Sequence, residues 1–484
     1  MFSIIVAFDK NGGIGQDGVL PWKISKDMNF FREQTSKTKN TNKKNCVIMG
    51  KNTYLSIPEQ FRPLSKRINI ILSTTLSEER EEEKDEDIEI FRNIDDVLDY
   101  VTKNKKLIEK CYVIGGESIY QQFLDRNLIS CIYTTEINRE YPCDKFFGGK
   151  KTSDITRFSP YFKNFDLFST QQTLAKDSLI KERFDISFNK YYYNNLEEKN
   201  YLSLMREILS KGIKRSDRTG VGTVSLFARS LKYDLRDGTL PLLTTKFIPF
   251  RIIVEELLWM LKGSTDVSKL QEKNIHIWDG NSSRDFLDKR GLNHLPEGDI
   301  GVGYGHNLRF FGAEYNDCKT DYTGKGFDQL KYVIDLLKND PTSRRILFCY
   351  WNPGAMYNVS LNSCHLLYQF YVDVERNELS ACLYQRSSDY FLANNFNAVA
   401  LCLWVRMFCN LLGFKPGEVT HFFADTHIYL NHIEQCNLQL ERQPTVFPKL
   451  EILRKVEDIE DFKYEDFKLI NYFPQARIFA KMAV

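Results

Sequence analysis

Ser3-Ile4-Ile5-Val6-Ala7-Phe8, followed by Asn11-Gly12-Gly13-Ile14-Gly15, decides how the front of this chain is read. A short unbroken apolar run closed by a glycine turn is the pattern of a strand buried on both faces. Similar runs recur at residues 46–49, 68–72, 111–114 and 131–135, with amphipathic stretches such as 94–101 between them. Strands alternating with helices predict an α/β layer fold around a mainly parallel sheet. Residues 180–193 read as a closing strand pair, whereas 37–44 and 78–87 are charge-dense, aperiodic and read as solvated loops. Residues 194–200 are polar without an apolar period, and a helical pattern starts at 202. The chain is therefore expected to divide into domains 1–194 and 195–484, with too short a connection for a free linker.

A length of 484 residues is too great for one ordinary core. The formal net charge of +2 supplies no footprint for nucleic acid or an anionic membrane, so neither is expected as a partner. No stretch approaches the ~18 apolar residues of a membrane span, and the opening apolar run is too short for a signal-peptide core. The expected location is the cytoplasm or another reducing compartment. Eleven cysteines, an odd number with no C-x-x-C pair, argue against a disulfide framework and a zinc site, and no metal is expected. All seven histidines fall between His276 and His432. Proton chemistry in the front half must then use a carboxylate, lysine, tyrosine or water.

Cys364-His365 is the candidate reactive pair of the rear half. Arg218, Arg344, Arg345 and Arg386 are separately placed in the sequence. Guanidinium forks grip phosphate bidentately and keep their charge, so their convergence would hold a dianion and lower the pKa of a neighbouring thiol. A cysteine so placed is a nucleophile; one without such company is ordinarily a small core hydrophobe. In the front half, Leu20-Pro21-Trp22 precedes Asp27, with Phe31 one helical turn further on. That pair can anchor and protonate a flat heterocycle, or Asp27 can simply solvate a first helical turn. Gly115-Gly116 after a strand would let a helix N-terminus approach a pyrophosphate.

Asp217-Arg218-Thr219-Gly220, Leu242-Leu243-Thr244-Thr245-Lys246, Glu255-Glu256-Leu257-Leu258-Trp259, Ile277-Trp278-Asp279, Gln385-Arg386-Ser387 and Asp425-Thr426-His427-Ile428-Tyr429 follow one another in order. This series resembles thymidylate synthase from about Tyr201 to the C-terminus. The resemblance implies an α+β domain whose helices pack on a sheet that forms a homodimer interface. It implies Cys364 as the nucleophile on C6 of deoxyuridylate. Arg218, Arg386 and Ser387 would hold the 5′-phosphate with Arg344 and Arg345 from the partner, Asn397 would read the uracil edge, and His427 and Tyr429 the ribose. His365 and Gln385 join the substrate set. Glu256 would order a water network for proton transfer, Tyr304 would relay protons, and Asp389 and Trp278 would meet methylene-tetrahydrofolate.

Ile14-Gly15 with Leu20-Pro21-Trp22, Met49-Gly50-Lys51-Asn52-Thr53, Arg62-Pro63-Leu64 with Arg67, Ile114-Gly115-Gly116 and Tyr133-Thr134-Thr135 resemble dihydrofolate reductase from about Phe2 to Lys190. The implied fold is a doubly wound mixed sheet. By the same resemblance Asp27, supported by Thr135, grips the pteridine of dihydrofolate, Phe31 packs on the substrate ring, and Arg67 takes the α-carboxylate of its glutamate tail. Lys51 and Ser73 would meet the 2′-phosphate of NADPH, with Ala7, Ile14, Gly15, Thr53, Gly115 and Gly116 completing the cofactor site. Thr74 stands where relatives often carry a second basic residue, which weakens the expected preference over NADH.

The rear half departs from the family pattern in its loops. Leu361-Asn362-Ser363 precedes Cys364 where relatives usually have two prolines. Residues 301–309 lack the usual proline and tryptophan, and Ala393-Asn394-Asn395 replaces a turn that contains glycine and ends in proline. Ala424 and Thr426 replace glycine and alanine around Asp425. Two alternatives follow. Solvent admitted by altered loops would make a deoxyuridylate hydroxymethylase, and a weakened site would leave a synthase scaffold carrying an active reductase. Retention of Trp278, Cys364 and the arginines speaks against both.

Overall fold

The computed structural model describes residues 2–76, 87–152 and 162–482. The described residues divide between Asn195 and Leu196 into two compact units.

The front unit is built on an eight-stranded sheet. Its members are β1 (Phe2–Phe8), β3 (Lys44–Gly50), β4 (Arg67–Leu72), β5 (Ile88–Phe91), β6 (Ile108–Gly115), β7 (Ile129–Ile137), β9 (Phe165–Lys176) and β10 (Arg183–Tyr193), while β2 (Gly13–Gly15) and β8 (Lys145–Phe146) form a separate two-stranded ladder. The order β5-β4-β3-β6-β1-β7-β10-β9 is parallel as far as β7 and antiparallel in the last two pairings. Burial of β1 on both faces explains its unbroken apolar run. The closing pair is longer than the sequence pattern suggested, because β9 starts at Phe165 with mostly exposed, mixed residues that carry no clear alternation. Helices α1 (Ser25–Ser36), α2 (Lys51–Ser56), α3 (Ile94–Lys103) and α4 (Glu117–Asp125) fill the crossovers. Residues 37–43 form no helix or strand. The charged segment 78–87 lies outside the described residues except for Asp87.

The rear unit opens directly with α5 (Leu196–Lys211). Residues read as a polar connection are thus already helical, because their acids have partners inside the unit. Glu197 accepts the Asp234 N–H at 2.7 Å, and the fully buried Glu198 accepts the N–H and hydroxyl groups of both Thr244 and Thr245. A six-stranded sheet follows, in the order β11 (Ile213–Arg215), β12 (Thr223–Asp234), β16 (Lys415–Tyr429), β15 (Glu378–Asp389), β14 (His365–Asp373), β13 (Leu347–Cys349). Among the described residues, β15 with β16 is its one parallel pairing.

One face of this sheet is core. Tyr368, Phe370, Leu383, Val419 and Phe423 pack there with α6 (Phe250–Leu261) and α8 (Asn394–Leu412), in one cluster with Trp259 and Trp404. On the other face Tyr371, Tyr384 and Phe422 are exposed. The helix α8 is long and apolar enough to cross a membrane, but Leu401, Trp404 and Phe408 on it are fully buried in the core.

Candidate active sites

The front site lies at the carboxyl ends of the parallel strands, where doubly wound sheets bind ligands. Asp27, in the first turn of α1, is buried, and removal from water lifts its pKa to about 6. The Thr135 and Trp22 side chains pull in the opposite direction. Thr135 itself pairs with Ala7 across β7 and β1. Phe31 sits one turn beyond Asp27 and packs against the cluster that holds Ile5, Val47 and Met49. Arg67 is buried, with Nη1 donating to Thr35 Oγ1 at 2.8 Å and Nε to the Ser65 carbonyl at 3.0 Å.

Gly115 has φ of +131°, which side-chain-bearing residues rarely adopt, and a Cβ on Gly116 would lie 3.4 Å from Thr53 Oγ1. Gly116 caps α4, so the helix N-terminus opens at this point. Ile14 and Gly15 lie on β2. Lys51 starts α2 and its Nζ donates to Thr75 Oγ1 at 3.1 Å, while Ser73 Oγ accepts from the backbone of Thr75 and Leu76. A cation, hydroxyls and a helix N-terminus on one rim suit a dinucleotide carrying an extra phosphate. Two members escaped the sequence reading. Thr75 has no motif of its own, and Tyr120, whose hydroxyl donates to the Ile5 carbonyl at 3.0 Å and lies close to Gly115, looks like any buried helix tyrosine.

In the rear unit, Cys364 ends the loop before β14. Its N–H donates to the Tyr304 hydroxyl at 2.8 Å, and its Sγ accepts from Arg386 Nη2 at 3.8 Å. Arg386 is itself fixed, donating to the carbonyls of Ser363 at 2.9 Å and Asn362 at 2.7 Å. Burial raises the Cys364 pKa, and Arg386 and Arg218 oppose that rise without reversing it. Within this chain desolvation outweighs these two arginines; Arg344 and Arg345, expected from a partner subunit, do not enter that balance. Arg218 is exposed, above the Phe286 ring. Arg344 and Arg345 are exposed just ahead of β13.

Behind the thiol stands an acid in an aromatic wall. Glu256 on α6 accepts from Trp278 Nε1 at 2.8 Å, and desolvation lifts its pKa to about 7. Tyr304 starts the short helix α7 (Tyr304–Arg309) and meets Trp278 edge-on at 6.0 Å. His365 Nδ1 pairs with the Tyr368 hydroxyl at 3.0 Å and the ring also meets the Asn397 side chain. Burial pushes His365 down to about 4, so it is a neutral imidazole at ordinary pH. Gln385 Oε1 meets His421 Nε2 at 2.6 Å, and Gln385 Nε2 donates to the carbonyl of Ser387. Asp389 Oδ1 caps the N–H groups of Phe391 and Leu392, ahead of the first turn of α8 that carries Asn397. His427 pairs with Asp425 at 3.0 Å and meets the Tyr429 ring edge-on.

The departing loops carry their own bracing. Asn307 donates to the carbonyls of Val302 and Tyr350 and accepts from Asn352 at 3.0 Å. Asn395 accepts the Leu243 N–H at 3.2 Å and donates to the Pro241 carbonyl at 2.8 Å.

Among the described residues no cluster of metal-ligating side chains occurs. The dihydrofolate reductase family profile matches residues 1–166 and the thymidylate synthase profile residues 199–484. A bifunctional dihydrofolate reductase-thymidylate synthase of Zea mays is 39% identical over all of this chain and 97% of its own length. That of Leishmania amazonensis is 40% identical over all of this chain and 95% of its own, and the second such enzyme of Arabidopsis thaliana 40% over all of this chain and 88% of its own. With both domains matched in this order and the likeness running end to end, the chain belongs to the bifunctional dihydrofolate reductase-thymidylate synthase family.

Proposed function

We propose that Cys364 and Asp27 are the reacting groups of the two activities, each surrounded by the residues that bind and orient its substrate. The Cys364 thiolate adds to C6 of deoxyuridylate, and C5 becomes a carbon nucleophile. Arg218, Arg386 and Ser387, with Arg344 and Arg345 of a second subunit, hold the phosphate. Asn397 presents a donor and an acceptor to the uracil edge and is steadied by His365. Methylene-tetrahydrofolate, when bound against Trp278 and Asp389, supplies the carbon and its reducing hydride and is left as dihydrofolate. Glu256 and Tyr304 handle the proton that C5 loses. A pKa near 7 allows Glu256 to accept and return a proton at neutral pH.

In the front domain NADPH, when bound, supplies the hydride that turns dihydrofolate into tetrahydrofolate. Lys51, Ser73 and Thr75 orient its 2′-phosphate, and the N-terminus of α4 meets the pyrophosphate. Ala7, Ile14, Gly15 and Thr53 border the same cleft. Asp27 holds the pteridine and supports its protonation, Phe31 packs on the ring and Arg67 takes the tail carboxylate. No histidine is needed, because a carboxyl group at about 6 keeps a usable protonated fraction.

The exposed face of the rear sheet supports dimerisation through it. Tyr371, Tyr384 and Phe422 on one side of β14, β15 and β16 form an apolar aromatic surface suited to a two-fold interface. The observation that carries the whole reading is Cys364 held between Tyr304 and Arg386, with Glu256 in the wall behind. Its test is the product formed from deoxyuridylate and methylene-tetrahydrofolate. Mass spectrometry is expected to find thymidylate; hydroxymethyl-deoxyuridylate, or no product, would overturn the assignment.

A further inference from the structure

Tyr350 stands beside this site and touches none of the substrate groups assigned above. It follows β13 and is 1% exposed. Its backbone is fixed on both sides, the N–H donating to the Leu366 carbonyl at 2.8 Å and the carbonyl accepting from Asn307. Its ring meets Tyr304 edge-on at 5.0 Å and Tyr368 at 5.9 Å, and lies 6.5 Å from the His365 ring. It is therefore part of the aromatic wall around the reacting atoms.

Its hydroxyl is the anomaly. Tyr350 Oη is enclosed and has no hydrogen-bond partner among the described residues. A buried unpaired hydroxyl is destabilising, a cost that phenylalanine would avoid while filling the same wall. Such groups are ordinarily met by an ordered water or by ligand. The charged side chain acting on Tyr350 is Glu256. The other titratable groups around this wall are Tyr304, Tyr368, His365, Cys364, Cys402 and His421, with Arg386 acting on Tyr304, and none of these is a second carboxylate. Burial and Glu256 both oppose ionisation of Tyr350, so it stays a neutral phenol that orients rather than a base.

We propose that Tyr350 is a positioning residue of the proton relay, its hydroxyl holding a water against Glu256 on the path taken by the C5 proton. The inference rests on the reading of Glu256 given above. When C5 has gained the folate carbon, its C–H bond breaks. The electron pair forms the exocyclic double bond as the folate nitrogen departs, and the proton passes through water to the Glu256 carboxylate. A fixed donor beside that carboxylate stabilises its charged form and keeps the water in line.

Tyr350→Phe removes the oxygen and keeps the ring. Thymidylate turnover is expected to fall about tenfold, less than the roughly 10²–10⁴ lost with a group that itself transfers the proton, with a larger isotope effect on C5-deuterated deoxyuridylate. The acid limb of kcat/KM is expected to move to higher pH. Adduct formation with fluorodeoxyuridylate, which stops before any proton leaves C5, should keep its wild-type rate. In a Glu256→Gln background the same change should cost nothing further. Tyr350→Leu, which loses the ring as well, should slow adduct formation and turnover together and so calibrates a packing defect. If Tyr350→Phe turns over like the wild type, or loses adduct formation and turnover in equal proportion, the proposal is wrong. If Glu256→Gln alone keeps full turnover, the reading of Glu256 fails first.

Discussion

The backbone N–H of Cys364 donates to the hydroxyl of Tyr304 at 2.8 Å, joining the nucleophile's loop to the helix that faces it across the pocket. The contact fixes the backbone that carries the thiol, and the Arg386 guanidinium reaches the sulfur while holding the carbonyls of Ser363 and Asn362. Cys364→Ser keeps this frame and substitutes a far weaker nucleophile, so thymidylate synthesis should fall to background while dihydrofolate reduction persists. Fluorodeoxyuridylate with methylene-tetrahydrofolate should give a denaturation-stable adduct on the wild type alone, and peptide mapping should find it on Cys364. Finding it on another cysteine would sink the assignment.

Asp27→Asn is expected to lose activity and gain stability. Reduction at neutral pH should drop by a factor of order 10², with thymidylate synthesis nearly unaffected. The folded pKa of about 6 exceeds the usual 3.8, so ionised Asp27 opposes folding, and the penalty grows as pH rises from about 4 to 6. At pH 7 the asparagine variant should be more stable by the order of 2–3 kcal/mol, and the gap should close below pH 4. Chemical denaturation at several pH values reads this directly; a less stable variant at pH 7 would contradict the buried-acid reading. The same value predicts that wild-type reductase kcat/KM declines as pH rises above about 6.

Asn395 bridges Leu243 N–H and the Pro241 carbonyl, tying the start of α8 to the segment whose next two residues are clamped by Glu198. Asn397 lies two residues further on. Asn395→Ala leaves two buried backbone groups unpaired and should cost about 2 kcal/mol of stability, with KM for deoxyuridylate rising more than kcat falls. An unchanged melting temperature and KM would show that the bridge is idle.

Shared sites predict complementation. Arg344 and Arg345 are exposed ahead of β13 and do not act on the thiol of their own chain. An Arg344→Ala subunit mixed with a Cys364→Ser subunit should regain activity, because one site of the mixed dimer carries both defects and the other neither. Random exchange of equal amounts should restore about a quarter of wild-type activity, half the dimers being mixed with one sound site each. No recovery after verified exchange would place the arginines in their own chain's site.

Much of this was legible in the sequence where local pattern and tertiary demand agree. β1 read as a buried strand because both its faces are covered, and Asp27 fell on a helix with Phe31 beside it. The helical start at Leu196 was not legible, since its acids are satisfied by Asp234, Thr244 and Thr245, far along the chain. The strand β9 was missed because its exposed face carries no period. Desolvation of Cys364 was equally hidden, because a motif records which charges are present and not how much water is removed. Tyr350 and Tyr120 gave no signal because their roles depend on what their hydroxyls face.

One chain is proposed to make thymidylate at Cys364 and to reduce the resulting dihydrofolate at Asp27. The most direct test follows both products when the purified protein receives deoxyuridylate, methylene-tetrahydrofolate and NADPH. One NADPH should be oxidised for each thymidylate formed. Asp27→Asn should leave thymidylate forming while dihydrofolate accumulates, and Cys364→Ser should oxidise NADPH only when dihydrofolate is added. NADPH consumption by the wild type without thymidylate, or thymidylate from Cys364→Ser, would contradict the account.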